Sequence, residues 1–255
     1  MISKNQIKFI RQFEQKKFRK REGLFVAEGT KVVGDLLKRF TPHSVYAIPE
    51  WIEAQQSGDR SLFTSVTPEE LSRISFQQHP QQVLALFPLP SANASYPDLQ
   101  SLNNTLSLCL DGVQDPGNLG TIIRIADWFG IDTIYCSEDT ADAWNPKVVQ
   151  ATMGSIARVN ITYLNLLEFL DSLPNDYPVY GTLLDGEDIY QQSLSPHGLI
   201  IMGNEGNGIS ESVRTRINRC LLIPSFHQGE TADSLNVAIA TAITCSEFRR
   251  RNYSL

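Results

Sequence analysis

Apolar and polar positions alternate along this chain in two different styles. Before residue 90, short apolar runs at 24–28 (LFVAE), 44–48 (SVYAI), 62–66 (LFTSV) and 82–87 (QVLALF) are separated by segments of helical period, TKVVGDLLKRF and TPEELSRI. In the second of these, Thr67 can cap the helix and Pro68 can open it. The pattern predicts a small α/β sandwich.

After Thr105 the apolar runs become more continuous: LSLCLDGV, TIYC, RVNITYL, PVYGTLL, LIIM and CLLIP. Helical segments are predicted between them at 118–129, 145–152, 165–172 and 210–217, and a last one from about 232 to 251. The first strand is read as ending at Val113. Apolar strands separated by helices predict a mostly parallel sheet covered on both faces, whose ligands gather at the C-terminal edge. The stretch PLPSANASYPDLQSLNNT, Pro88 to Thr105, has little apolar period and reads as a linker. The expected organisation is therefore a domain over 1–90, a linker over 91–104 and a larger domain over 105–255, without internal repeats.

Composition narrows the class. With 255 residues, 42% of them hydrophobic, and no apolar run of membrane length or secretory leader, a globular cytoplasmic protein is expected. The cysteines (109, 136, 220 and 245) form no CxxC pair and the four histidines show no ligand spacing, so no metal is assigned. The net charge of −6 is unevenly spread: between Lys4 and Arg21 stand eight Lys or Arg, with Phe9, Phe13 and Phe18 among them, against the single acid Glu14. Such an arm either neutralises phosphates or is a solvated helix face.

Three strand-to-loop junctions carry residues that packing does not require. In LDGVQDPGNLGTIIRIADWFGI, Asn118 stands where it could cap a helix, and Arg124 lies between isoleucines, so that it either snorkels out or is aimed at an anion. In LIIMGNEGNGIS the glycines at 203, 206 and 208 read GxxGxG, not the dinucleotide order GxGxxG. Glu205 would repel a pyrophosphate. In CLLIPSFHQGETADSLNVAIATAITCSEFRR, Ser234, Leu235 and Asn236 lead into Ala238, Ala240 and Ala242, whose small side chains allow close approach of another helix or subunit.

These three segments, in this order, resemble the three motifs of the SpoU (TrmH-like) RNA 2′-O-ribose methyltransferases of the SPOUT superfamily. The resemblance covers residues from about 104 to 251, while KFRKREGLFVAEGTKVV and HPQQVLALF look like the small substrate-binding domain that precedes the catalytic one in many members. It implies a SPOUT-type α/β domain with a deep trefoil knot, preceded by a small L30e/L7Ae-like α/β sandwich. It also implies a homodimer, S-adenosylmethionine as cofactor and structured RNA as partner, ribosomal RNA ahead of transfer RNA.

By match to the family motifs, Thr182, Leu183, Met202, Gly203, Gly206, Ile223 and Leu235 would line the cofactor site. Asn118, Arg124, Glu205, Ser234 and Asn236 would form the catalytic pocket, Arg124 entering from the partner subunit. A guanidinium is almost never neutral, so Arg124 is expected to clamp a phosphate and steady the developing alkoxide, the proton leaving through phosphate, water or Glu205. Two departures stand out: the loop SFHQGETAD is longer than the family pattern and adds Glu230 and Asp233, and Thr152 replaces a serine. The competing expectations are a knotted RNA-binding or assembly factor without activity, and a nucleotide-dependent oxidoreductase supported by the glycine loop alone.

Overall fold

The structure is a computed structural model of the chain and describes residues 2–55, 59–90, 102, 104–229 and 232–251. Most of the expected linker, and Glu230 of the long loop, lie outside the described residues. The chain divides into two compact units, one of residues 1–91 with 142–157, the other of 92–141 with 158–255.

The first unit contains a four-stranded sheet in the order β1 (Leu24–Glu28), β4 (Val83–Pro88), β2 (Ser44–Ala47), β3 (Phe63–Ser65). β4 runs antiparallel to both neighbours, and β3 is parallel to β2. Among the described residues before position 90 it is accompanied by α1 (Lys4–Arg11), α2 (Lys16–Glu22), α3 (Thr30–Leu37), α4 (Pro49–Glu53) and α5 (Pro68–Ile74). Thr67 caps α5 in a reciprocal box with Glu70, and Pro68 occupies its first turn. On one face, Leu24, Val26, Leu84 and Leu86 pack with Ile10, Phe13 and Ile74. All five residues of β1 are buried, so the other face needs a cover too. Phe25 stacks on Phe87 at 5.8 Å and meets Trp144 at 4.7 Å. Trp144 precedes α7 (Pro146–Ala151), and in this way residues far along the sequence complete the small sheet. At the end of α7 the Thr152 hydroxyl donates to the Val149 carbonyl at 2.6 Å, a bond a serine could also make.

The basic arm is partly structural. Arg19 is 2% exposed; its guanidinium donates to the Phe13 and Glu14 carbonyls at 2.5 and 2.8 Å and pairs with Asp142 at 2.6 Å. Arg11 donates to the Ser75 carbonyl and lies over the Phe76 ring. Lys17 and Arg21 lie on the Phe18 ring. Two of the eight bases therefore hold the unit together, Arg19 from a buried position and Arg11 from an exposed one.

The second unit has a six-stranded, wholly parallel sheet in the order β10 (Arg219–Leu222), β8 (Val179–Asp188), β9 (Gly198–Met202), β5 (Leu106–Leu110), β6 (Thr133–Cys136), β7 (Asn160–Tyr163). Helices α6 (Pro116–Trp128), α8 (Leu166–Asp171), α9 (Glu211–Arg214) and α10 (Val237–Arg251) accompany it, with α10 packed on α6. β5 stops at Leu110, three residues before the expected end, because Gly112 takes a left-handed φ of 71° and turns the chain out. The last helix starts at Val237, later than 232, because Asn236 caps it: the Asn236 Oδ1 accepts from the Ala238 and Ile239 N–H groups at 2.9 and 3.3 Å. Cys109, Cys136 and Cys245 are buried without disulfides, and burial pushes the Cys245 thiol up to about 12.

The order places β5 beside β9 in the middle of the sheet. From β5 the chain winds outward to β6 and β7, then returns to build β8, β9 and β10 on the other side, so the winding reverses between β5 and β9. A crevice opens at the C-terminal ends of strands at such a reversal. Leu110 and Met202 sit opposite each other there.

One prediction follows from the first unit. Replacing Arg19 by Leu leaves Asp142 and two carbonyls without their cation, and is expected to cost roughly 3–5 kcal/mol. Urea unfolding of the full chain measures it, and a loss under about 1 kcal/mol would place Arg19 among ordinary surface arginines.

Candidate active site

Two loops leave the central strands at the reversal point, and both must satisfy the backbone groups their turns expose. After β5, Asp111 and Gly112 lead to Asp115, which caps α6 by accepting from the Asn118 N–H at 2.8 Å. Asn118 is thus not the cap that its position invited. A proline at the first helical position marks the preceding residue as the cap, and Asp115-Pro116 carried that signal. With the cap supplied by Asp115, the Asn118 amide is available for other work.

After β9 the chain makes a closed turn from Gly203 to Ile209. Asn204 and Gly208 exchange backbone hydrogen bonds at 2.9 and 3.0 Å, and the Asn204 side-chain oxygen accepts from the Gly206 and Asn207 N–H groups. A Cβ on Gly203 would come within 2.2 Å of the Gly208 carbonyl carbon, so the two arms of the turn meet only because residue 203 is glycine. Two further bonds fasten this turn to the first loop: the Asn204 Nδ2 donates to the Gly112 carbonyl at 2.7 Å, and the Ser210 N–H donates to the Asp111 carboxylate at 2.7 Å.

Glu205 projects from the turn into the first loop. Its carboxylate accepts from the Gln114 N–H at 3.1 Å, the Asp115 N–H at 3.0 Å and the Asn118 Nδ2 at 3.0 Å. Partial burial alone would raise its pKa, but the bonds from Asn118, Asp115 and Gln114 outweigh it and hold Glu205 below the ordinary value of 4.5. The other end of the Asn118 amide, its Oδ1, accepts from the Asn236 Nδ2 at 2.9 Å. One side chain therefore joins all three junctions.

Met202 is buried at the end of β9 and Gly203 follows it, also buried, while Gly206 is exposed in the turn. Thr182 and Leu183 are half-buried in an unusual stretch of β8: Tyr180 and Gly181 pair with Arg219 and Cys220, but Leu221 and Leu222 pair with Glu187 and Asp188, so residues 182–186 are left over. The Thr182 hydroxyl lies 3.5 Å from the Met202 sulfur. Ile223 is half-buried just after β10, and Leu235 is exposed before α10. Ser234 and Arg124 are exposed and make no hydrogen bond or ion pair among the described residues. Asn118, Glu205 and Asn236 are thus brought into direct contact, and Ser234 and Arg124 are not. The sequence pattern does not single out Gln114, Asp115, Asn204 and Asp111. Their work is bonding to backbone groups within and between the two loops, of which the Asp-Pro and Gly-Asn pairs signal only the turns.

The node makes a prediction. Asn118→Asp keeps an acceptor for Asn236 but sets a second carboxylate against Glu205, and two such groups at hydrogen-bond distance raise the pKa of one. The sign for the parent is clear: a carboxylate with a lowered folded pKa stabilises fully above its unfolded value and loses that contribution as pH falls through the folded one. The variant instead is expected to melt at least roughly 2–4 °C below the parent at pH 8 and to close that gap near about pH 5, as the pair takes up a proton. A gap of equal size at both pH values would mean that residues 118 and 205 do not interact.

Comparison with known proteins agrees with this geometry. Residues 105–246 match the SpoU rRNA methylase family, and residues 4–85 match the MRM3-like substrate binding domain. The chain is 33% identical to the 23S rRNA (guanosine(2553)-2′-O)-methyltransferase RlmP of Bacillus subtilis, with 97% of each chain covered. Among solved structures, a TrmH-family protein from Porphyromonas gingivalis is 41% identical with a TM-score of 0.88, covering 98% of this chain and 99% of that one. An AdoMet-bound rRNA methyltransferase from Sinorhizobium meliloti is 30% identical with a TM-score of 0.82, covering 100% and 98%. A parallel sheet reversed at its centre, three junctions tied through Asn118 and a match across more than half of the chain have one common meaning: this protein belongs to the SpoU rRNA methylase family.

Proposed function

We propose that the chain is an S-adenosylmethionine-dependent methyltransferase that modifies a ribose 2′-hydroxyl in structured RNA, ribosomal RNA ahead of transfer RNA, in the cytoplasm. The observation that carries this reading is the Asn118 amide joining Glu205 to Asn236 at the reversal point of the sheet.

The residues present suit the cofactor. Adenosine asks for apolar walls and close backbone; Met202, Leu183, Ile223 and Leu235 are apolar, and Gly203 offers bare backbone where a Cβ has no room. When bound, S-adenosylmethionine supplies a methyl group already activated on a sulfonium, so the protein needs neither a nucleophile nor a metal for the transfer. What the chain contributes is position. Glu205, held below its ordinary pKa by its donors, anchors the Asn118 loop; the 2′-hydroxyl proton leaves through phosphate, water or Glu205.

Arg124 completes the site from a second copy of the chain. On α6 it stands six residues after Asn118, which places the two side chains about 120° apart around the helix and about 9 Å apart along it. The two side chains therefore leave different sides of the helix. Arg124 shares its exposed face with Trp128, which is 84% exposed, and Leu235 and Ile239 are exposed at the start of α10. Apolar side chains of this size on helix faces fit a homodimer contact. The trefoil knot belongs to the same proposal, supported by the return of the chain after β9 to β10 at the far edge of the sheet. In the first unit, exposed Lys4, Lys8, Lys17, Lys20 and Arg21 provide a phosphate-binding surface.

Two experiments test this. Arg124→Lys keeps the charge and loses the planar fork, and is expected to lower kcat for RNA methylation at least about 10-fold with S-adenosylmethionine affinity unchanged; an equal kcat would remove the clamp. Mixing chains carrying Arg124→Ala with chains carrying Asn236→Ala is expected to restore roughly a quarter of the parent activity, because half of the dimers would be mixed and each would hold one intact site. If neither single variant gains activity on mixing, Arg124 acts within its own chain.

A further inference from the structure

We propose that a groove in the first unit is a subsite for one unpaired RNA nucleobase, guanine by preference and distinct from the base whose ribose is methylated; this rests on the RNA reading above. The groove has a volume of about 290 Å³ and is walled by Val26, Phe76 and Ala151, with Glu28, Gln77 and Gln150 as its polar groups and Lys147 beside them. That is the small end of ligand clefts, which start at roughly 300 Å³ and suit one nucleoside better than two.

The polar groups are arranged as a core would not arrange them. Glu28 ends β1 and is 6% exposed, yet among the described residues no cation is bonded to its carboxylate: it accepts from the Phe76 N–H at 2.8 Å and from the Ser75 hydroxyl. Burial pushes its pKa up, opposed by those two bonds and by Arg11. Each of its oxygens accepts one of these bonds and keeps a lone pair. Arg11, bound to the Ser75 carbonyl and lying over the Phe76 ring, fixes the turn that carries the wall. The Gln77 Nε2 donates to the Gln150 Oε1 at 2.8 Å, which leaves a Gln77 carbonyl and N–H groups of both amides unspent among the described residues. Lys147 is exposed and makes no ion pair among the described residues.

A flat ring with both donors and acceptors on its edge, tied to a phosphate, meets all of these groups at once. Apolar walls take the ring, the two amides read its edge, and Lys147 meets the phosphate as a point charge. Among the four bases only guanine presents two adjacent N–H donors on its pairing edge, at N1 and N2, and a carboxylate that accepts with both oxygens selects that edge. RNA proteins read unpaired bases in this manner.

The test uses the full chain, saturated with S-adenosylhomocysteine to occupy the cofactor site, and titrates GMP, AMP, CMP and UMP by ligand-observed NMR. GMP is expected to bind about ten-fold more tightly than UMP. Gln150→Ala and Ala151→Trp should each remove that preference, the first without altering packing. Glu28→Gln, which exchanges an acceptor for a donor, should shift preference away from guanine. On RNA substrate, Gln150→Ala should raise KM several-fold at constant kcat and unchanged cofactor affinity. Equal binding of all four monophosphates, or a GMP preference that survives Gln150→Ala and Ala151→Trp, overturns the subsite. A parent that fails to methylate RNA overturns the methyltransferase reading instead and leaves the nucleotide titration standing as its own result.

Discussion

Three loops that start on different strands become one rigid body because a single amide has two ends. The Nδ2 of Asn118 reaches Glu205 and its Oδ1 takes the Asn236 amide, while Asn236 in turn caps α10 with its own oxygen. Each bond alone is worth about 1 kcal/mol in a site open to water, yet they share atoms, so losing one loosens the others. The sheet makes this possible. Only where the winding reverses do the ends of two strands distant in sequence, at Leu110 and Met202, stand side by side.

The turn after β9 shows how much of the site is backbone. Gly203 lets the chain close on Gly208, and Asn204 ties the result to Gly112. The carboxylate of Glu205 then takes two N–H groups of the opposing loop that no strand or helix uses. A carboxylate there is needed by the loops before any substrate arrives, which answers why a bare glycine turn carries an acidic residue at its centre.

Much of this was legible in the residues, and the part that was not has physical reasons. Capping and period are local, so Thr67, Pro68 and most helices and strands could be read directly. The three junctions were identifiable as chemistry because Asn118, Glu205 and Asn236 serve no packing purpose. Asp115 was also legible through the proline after it, although Asn118 drew the attention. Pairing is not local. Nothing in PVYGTLL signals that β8 leaves five residues unmatched against β10, apart from Gly186, where a Cβ would strike the Leu221 backbone at 2.6 Å. Likewise Arg19 cannot be told from its neighbours in a run of bases. Its burial depends on Asp142, more than a hundred residues away.

The balance of charge in the site bears on its chemistry. A general base works best with a pKa near the working pH, and enzymes raise carboxylates by burying them without donors. Glu205 has the opposite surroundings: three donors at 3.0–3.1 Å, with partial burial opposing them and losing. Its ionised form is the one the loops are built on, and protonating it during turnover would weaken the bonds from Gln114, Asp115 and Asn118. A site that must hold a sugar oxygen in line with a methyl donor gains nothing from unlocking its own frame at that moment. In the proposed mechanism Glu205 therefore serves as part of the frame, and the cation that steadies the developing alkoxide is Arg124.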